Sequence, residues 1–249
     1  VKKIIVGNWK MHKTLEEAEL YMKTLLSSWT ISSYDRVLIA PSFPLLLPMV
    51  EWTRGSCIEI GAQNIHHLEE GAFTGEVSGS LVKSLGGTFV LLGHSERRHL
   101  FHEGDSWIGQ KVKRALDCSL QPILCFGETL EERESGRMEA VCKKQLLEGM
   151  QWISQEDLPK MLFAYEPVWA IGTGKHATPQ MAGRAHALCR REIAAKWGDK
   201  AALQAPILYG GSVNQDNIHA LMQEEEINGV LVGGASLNPD HFLKLIQYK

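Results

Sequence analysis

Short apolar runs punctuate the chain at regular intervals: Lys3–Trp9, Arg36–Ala40, Ile58–Gln63, Thr88–Gly93, Pro122–Phe126, Met161–Glu166, Ile207–Gly210 and Gly229–Gly233. Most of them, VLIA and FVLLG among them, are unbroken rather than alternating, which is the pattern of parallel strands covered on both faces. Longer amphipathic segments lie between them, including Thr14–Leu26, Trp107–Cys118, Met138–Trp152, Pro179–Trp197 and Asn214–Met222. These predict helices and supply the crossovers that parallel pairing requires. An open doubly wound sheet shares this rhythm, but eight strands each followed by a helical segment in about 250 residues fit a closed barrel better. No linker rich in Ser, Gly or Pro and no shift in composition divides the chain. The expectation is an α/β protein, a single (β/α)8 barrel domain over residues 1–249, whose fold repeats without a strong repeat in sequence.

In such a barrel the active face is the one formed by the C-terminal ends of the strands, so the polar residues that close each apolar run come first. The first run closes with Asn8 and Lys10, the fourth with His94 and Glu96, the sixth with Glu166. The seventh and eighth close with glycine pairs, Gly210-Gly211-Ser212 and Gly233-Gly234. Glycines let backbone N–H groups approach an anion closely, and the loops after strands seven and eight are the usual phosphate site of these barrels. Taken singly, each residue has a plain explanation. A strand-end carboxylate is more often solvated or salt-bridged, a lone His a hydrogen-bonded structural imidazole, Lys10 a surface lysine, and a Gly pair a turn. Five strands that bring amide, ammonium, imidazole, carboxylate and anion-binding backbone to one mouth shift the balance toward catalysis.

The runs GNWK (Gly7–Lys10), GHSERR (Gly93–Arg98), CFGETLEERESG (Cys125–Gly136), YEPVWAIGTGK (Tyr165–Lys175), YGGSV (Tyr209–Val213) and LVGGASL (Leu231–Leu237) carry a family resemblance. In order and spacing they resemble the triosephosphate isomerases over essentially the whole chain. The resemblance implies a (β/α)8 TIM barrel that interconverts dihydroxyacetone phosphate and glyceraldehyde 3-phosphate, an intramolecular aldose–ketose isomerase with no metal and no organic cofactor. It implies Glu166 as the base, His94 as a neutral electrophile, and Lys10 and Asn8 as the groups that hold the substrate and its developing charge. Gly172, Ser212, Gly233 and Gly234 would contact the phosphate, mainly through backbone N–H groups, with Glu96 and Cys125 standing behind the reacting side chains. Pro167–Ala177 would be a lid, stiffened by Pro167, with Ile171 covering the carboxylate. The long Gly-containing segment Asn64–Ser78 would dock into a neighbouring copy near Asn8 and Glu96, with Thr74 at its tip, giving a homodimer with C2 symmetry.

The chemistry itself calls for these residue types. A carbon-bound proton beside a carbonyl must be removed, an enediolate stabilised, and a proton returned to the neighbouring carbon, and one carboxylate can serve both carbons. A neutral imidazole matches the basicity of the two oxygens better than imidazolium. That suits His94 if the helix beginning after it lowers its pKa. Lys10 places fixed positive charge where oxyanion charge develops.

Composition narrows the partners. A net charge of -3 gives no overall attraction to nucleic acid or an anionic membrane surface. No apolar stretch approaches the roughly 20 residues needed to span a bilayer, and the N-terminus lacks a signal-like pattern. Five cysteines without a C-x-x-C pair favour a reduced, cytoplasmic setting. Gly172–Ala177 matches G-x-G-x-x-A but stands six residues beyond its strand and lacks the acidic partner, so no dinucleotide is expected. His66-His67 with Glu69-Glu70, and His99 with His102-Glu103, lack metal-ligand spacing. Glu131–Glu134 and Glu224–Glu226 read as solvated helix faces or ends. Two departures from the family pattern, Gly79 in place of a usual Pro and Phe101-His102-Glu103-Gly104-Asp105 in place of F-G-E-S-D, lie outside the chemistry and bear on loop stability. The competing readings are another sugar-phosphate isomerase or epimerase on the same barrel, which would lack the Lys10, His94 and Glu166 set, and a non-catalytic phosphate-binding module, which would not need the base.

Overall fold

A computed structural model describes residues 3–29, 33–171 and 177–248. Eight strands, β1 (Ile4–Asn8), β2 (Arg36–Ala40), β3 (Ile58–Ile60), β4 (Phe89–Leu92), β5 (Gln121–Phe126), β6 (Leu162–Tyr165), β7 (Ile207–Tyr209) and β8 (Gly229–Val232), form one sheet. Every pairing is parallel, and the order β3-β2-β1-β8-β7-β6-β5-β4 leaves β3 and β4 at the two ends. Those ends meet. Thr88 N–H donates to Ile60 O at 2.9 Å, Ala62 N–H to Phe89 O at 3.0 Å and Leu91 N–H to Ala62 O at 2.9 Å, so the sheet closes into a barrel.

The unbroken apolar runs find their explanation in two cores. Alternate strand residues, including Ile4, Val6, Leu38, Leu91, Ile123, Ala164, Leu208 and Leu231, fill the barrel interior. The residues between them, such as Ile5, Ile39, Val90, Leu124, Phe163 and Val230, face outward into a second core under the helices. Polar interior positions at the N-terminal ends of the strands satisfy one another. Arg36 reaches Glu59 through Nε at 2.6 Å and Nη2 at 2.7 Å, and Gln121 Oε1 through Nη1 at 2.7 Å. That fork stoppers one end and leaves the chemistry to the other.

The helices are α1 (Leu15–Ser28), α2 (Leu46–Trp52), α3 (Gly79–Ser84), α4 (Ser95–His99), α5 (Asp105–Asp117), α6 (Leu130–Glu134), α7 (Met138–Gly149), α8 (Pro179–Trp197), α9 (Asp199–Gln204), α10 (Ile218–Met222) and α11 (Pro239–Ile246). Local chemistry sets their starts. Thr14 with Glu17, and Thr129 with Glu132, form reciprocal capping boxes at α1 and α6. Thr178 caps α8 just before Pro179, and Asn238 caps α11 just before Pro239.

Some element bounds differ from the sequence expectation. The third strand stops at Ile60 rather than Gln63: Gly61 N–H still donates to Ile39 O of β2, after which Ala62 bonds to β4 and Gln63 turns its amide onto the carbonyls of Lys10 and Ala40. The helix expected from Asn214 begins at Ile218. Asn214 Oδ1 accepts from the N–H groups of Asp216 and Asn217, and Asn217 Oδ1 accepts from Asn214 N–H, a local alternative to helix.

Candidate active site

The strand ends bring Asn8, Lys10, His94, Glu166, Ser212, Gly233 and Gly234 to the wall of one cleft of about 290 Å³. Ile171, Leu231 and Val213 give it an apolar side. Gly172 and the rest of residues 172–176 lie outside the described residues. Within the cleft the groups form a connected chain of contacts.

Lys10 follows β1 in a left-handed backbone conformation, φ 53°, unusual for a residue with a side chain. Three contacts hold it there: Lys10 N–H donates to Asn8 Oδ1 at 3.0 Å, Lys10 O accepts from Gln63 Nε2 at 2.8 Å, and Lys10 Nζ meets Glu96 Oε1 at 2.7 Å. The ammonium stem passes the eighth-strand loop, with Cε 3.4 Å from where a Cβ on Gly233 would sit. Burial works to raise the Glu96 carboxyl, but the Lys10 hydrogen bond and the positive charges around it outweigh that and hold the group below the usual carboxylate range. Glu96 therefore stays ionised beside the Lys10 ammonium.

His94 is buried at the start of α4, and its Nδ1 accepts from Glu96 N–H at 3.2 Å. A ring nitrogen that accepts carries no proton, so the neutral imidazole has its proton on Nε2. Nε2 lies 3.0 Å from Glu166 Oε1, and Glu166 Oε2 accepts from Ser95 N–H at 2.8 Å. The Glu166 and His94 side chains are nearly dry, while Lys10 stands at the more open edge of the same cleft. Cys125 points into the barrel interior. Burial first, and the Glu166 charge second, push its thiol well up, so it is no nucleophile at neutral pH.

Glu128 is the functional candidate that sequence reading did not single out. Its fully buried carboxylate accepts from the Tyr165 hydroxyl at 3.1 Å, Trp169 Nε1 at 2.9 Å and Arg133 Nη1 at 2.9 Å, while its backbone O accepts from Val168 N–H. It thus ties the turn at Val168–Ala170 to the strand that carries Glu166. The run ETLEERE in the sequence held the signal, since Arg133 stands five residues on, one helical turn past the cap. The reading of Glu131–Glu134 as a solvated helix face holds for Glu131 and Glu134, which are exposed, while the half-buried Arg133 turns in to Glu128 and Glu132 is committed to the Thr129 cap. Similarly, Glu226 is not free but pairs with Arg190 at 2.6 Å. Ala177 N–H donates to the Tyr209 hydroxyl at 3.3 Å.

The His and Glu pairs at residues 66–70 and 99–103 have other partners. His67 Nδ1 accepts from Trp107 Nε1 at 2.6 Å, and Glu103 is buried between Arg97 and Lys111, at 2.6 and 2.5 Å. Lys111 also reaches Asn64 Oδ1 at 3.0 Å, so the unusual stretch around Glu103 anchors the base of the long third loop. Among the described residues no group of three or more His, Cys, Asp or Glu is arranged to hold a metal ion.

Known proteins bear on this geometry. The sequence model described as triosephosphate isomerase matches residues 3–249. The triosephosphate isomerase of Protochlamydia amoebophila is 45% identical over 98% of this chain and 92% of its own length. Those of Solibacter usitatus and Carboxydothermus hydrogenoformans are 44% and 46% identical, each over 99% of this chain and over 99% and 98% of their own lengths. With barrel, strand-end residues and cleft in place, and with matches spanning nearly every residue, the chain belongs to the triosephosphate isomerase family.

Proposed function

We propose that the cleft interconverts dihydroxyacetone phosphate and glyceraldehyde 3-phosphate with Glu166 as the carbon base. The observation that carries the assignment is the chain of contacts from Glu166 through His94 to Glu96 and Lys10 in one mouth. A substrate placed there presents its two oxygens to His94 Nε2–H and the Lys10 ammonium, and its carbon-bound protons to Glu166. Glu166 leaves its hydrogen bonds to Ser95 and His94, takes a proton from one carbon, and returns it to the other. His94 serves both oxygens as a neutral donor and acceptor, and Lys10 offsets the oxyanion charge of the enediolate. Ser212, Gly233 and Gly234 offer N–H groups to the phosphate, with Gly172 completing the set from the lid. Ile171 and Leu231 desolvate the carboxylate and raise its basicity on closure.

Glu166→Gln keeps shape and removes the base. The expected result in a coupled assay of glyceraldehyde 3-phosphate formation is a fall in kcat of about 10²–10⁴-fold or more, with phosphate binding retained. A loss of only a few-fold would reject the assignment.

We further propose that residues 1–249 act as one domain, in the cytoplasm, as a homodimer joined through Asn64–Ser78. Two features support the dimer. The loop presents exposed Leu68 and Phe73, and a second groove beside Lys10 and Glu96 is rimmed by Met11 and Phe101, themselves exposed. Full activity of a species that sediments as a monomer at micromolar concentration would contradict it. No helix among the described residues is long and apolar enough to cross a membrane, and all five cysteines are free.

A further inference from the structure

We infer that Gln145 is a positioning residue for the base: it clamps the Gly127 peptide against which the backbone of Glu166 lies. The inference rests on the role proposed above for Glu166.

Glu166 sits one residue past the end of β6, where the regular ladder has stopped. Its N–H still donates to Phe126 O at 2.7 Å. Beyond that bond, its backbone rests directly on Gly127. A Cβ at Gly127 would lie 1.8 Å from Glu166 O and 2.6 Å from its carbonyl carbon. On the other side, a Cβ at Gly210 would lie 2.9 Å from Glu166 Cγ. The base therefore stands in a slot whose two walls are bare backbone, and neither wall can move without moving Glu166.

The Gly127 wall is held from outside the sheet. Its N–H donates to Gln145 Oε1 at 2.8 Å and its C=O accepts from Gln145 Nε2 at 3.2 Å. One side-chain amide on α7 thus satisfies both peptide groups of Gly127, in a site where Gln145 is 8% exposed. Buried peptide groups left without partners reorient or draw in water, and here either change displaces the backbone under the base. Gln145 does not line the cleft, so it touches no substrate and acts through Glu166. A general base works only within hydrogen-bond reach of its proton, and a shift of about 1 Å is enough to cost about 10²-fold.

Gln145→Met keeps length and burial but removes both hydrogen bonds. Gln145→Glu keeps the acceptor for Gly127 N–H and sets an oxygen against Gly127 O. Both are compared with wild type, Glu166→Gln and the double variant Gln145→Met/Glu166→Gln, by steady-state kinetics, calorimetric binding of inorganic phosphate and far-UV circular dichroism. The expected result for Gln145→Met is a kcat lowered about 10- to 100-fold, with KM and phosphate affinity held within about twofold. The double variant should be no slower than Glu166→Gln, since the clamp has nothing to act on once the base is gone. Normal turnover in folded Gln145→Met overturns the inference, and so does an equal fold-loss in both backgrounds, the mark of general packing damage. Should Gln145→Met not fold, Gln145→Glu is read in the same way. A Glu166→Gln enzyme that keeps its turnover removes the base assignment itself, a result distinct from normal turnover in the Gln145 variants alone.

Discussion

His186, in the middle of α8, is fully buried, and its protonation carries a calculable cost. Nδ1 lies 3.1 Å from Glu226 O, so in the neutral ring it is Nδ1 that bears the proton and donates. Nε2 has no partner, and the ring stands edge-on to Tyr165 at 6.0 Å. Charging the ring places a proton on Nε2 in a dry site. Burial, countered by the Glu226 carbonyl and reinforced by Arg190, lowers its pKa from 6.5 to about 3. The unfolded chain binds this proton near pH 6.5 and the folded one only near 3. Stability is therefore complete above the unfolded value and lost as pH falls from 6.5 toward 3. Each pH unit in that window costs about 1.4 kcal/mol, so this one ring removes about 2 kcal/mol between pH 6.5 and 5. Urea unfolding of wild type and His186→Asn, at fixed protein concentration from pH 7.5 to 5, isolates the term, because the remaining histidines titrate in both proteins. His186→Asn should be less stable at pH 7.5 through lost packing, yet show a shallower decline, the two curves converging by about 2 kcal/mol at pH 5. Parallel curves would refute a neutral, unsatisfied His186.

Three further outcomes are expected. Lys111→Met leaves the Glu103 carboxylate buried beside Arg97 alone, so thermal or urea unfolding should show a loss of about 3–5 kcal/mol, whereas Lys113→Met, at an exposed pair with Asp117, should change stability by no more than about 1 kcal/mol. Deleting Ile171–Gly174 and joining the ends should leave a folded barrel by circular dichroism but a poor isomerase, with part of the flux appearing by NMR as methylglyoxal and inorganic phosphate, since the enediolate is then open to water and free to expel its phosphate. Leu146→Ala, in the core between α7 and the strands, should cost about 2–5 kcal/mol in urea unfolding without altering KM.

Most strands were legible because a parallel strand buried on both faces is a nearly unbroken apolar run; Val37–Ala40 and Phe89–Leu92 read as strands without any neighbour in view. The candidate site was legible for a related reason. A barrel strand must end where its apolar run ends, so Asn8, His94 and Glu166 mark the active face by being the first polar residues past their runs. Boundaries were less legible where a tertiary bond competed with the local pattern. Gln63 closes the run expected as the third strand, yet its amide bonds to Lys10 O, and the strand stops short at Ile60. Asn214 opens a helical pattern, yet its own side chain satisfies the backbone that the helix would have used.

What the sequence concealed shares one physical origin. Glu128 and Glu103 are buried polar residues in loops, Gln145 and Lys111 buried polar residues within α7 and α5, and a buried polar group is tolerated only with partners. Those partners lie far along the chain: Trp169 for Glu128, Asn64 for Lys111, Gly127 for Gln145. On a helical wheel Gln145 and Lys111 look like any solvated residue, and Lys111 follows Gln110 without a break in pattern. A reacting group at a strand end is placed by the sheet, which is a local rule, whereas the groups that steady it are placed by packing between elements, which is not. Glu166 owes its place at the mouth to β6, but the slot around it is built from Gly127 and Gly210 on two other strand ends and secured by helix α7. Substitutions that alter its reactivity without touching the cleft should therefore concentrate on α7 and on the Glu128 turn rather than along β6 itself.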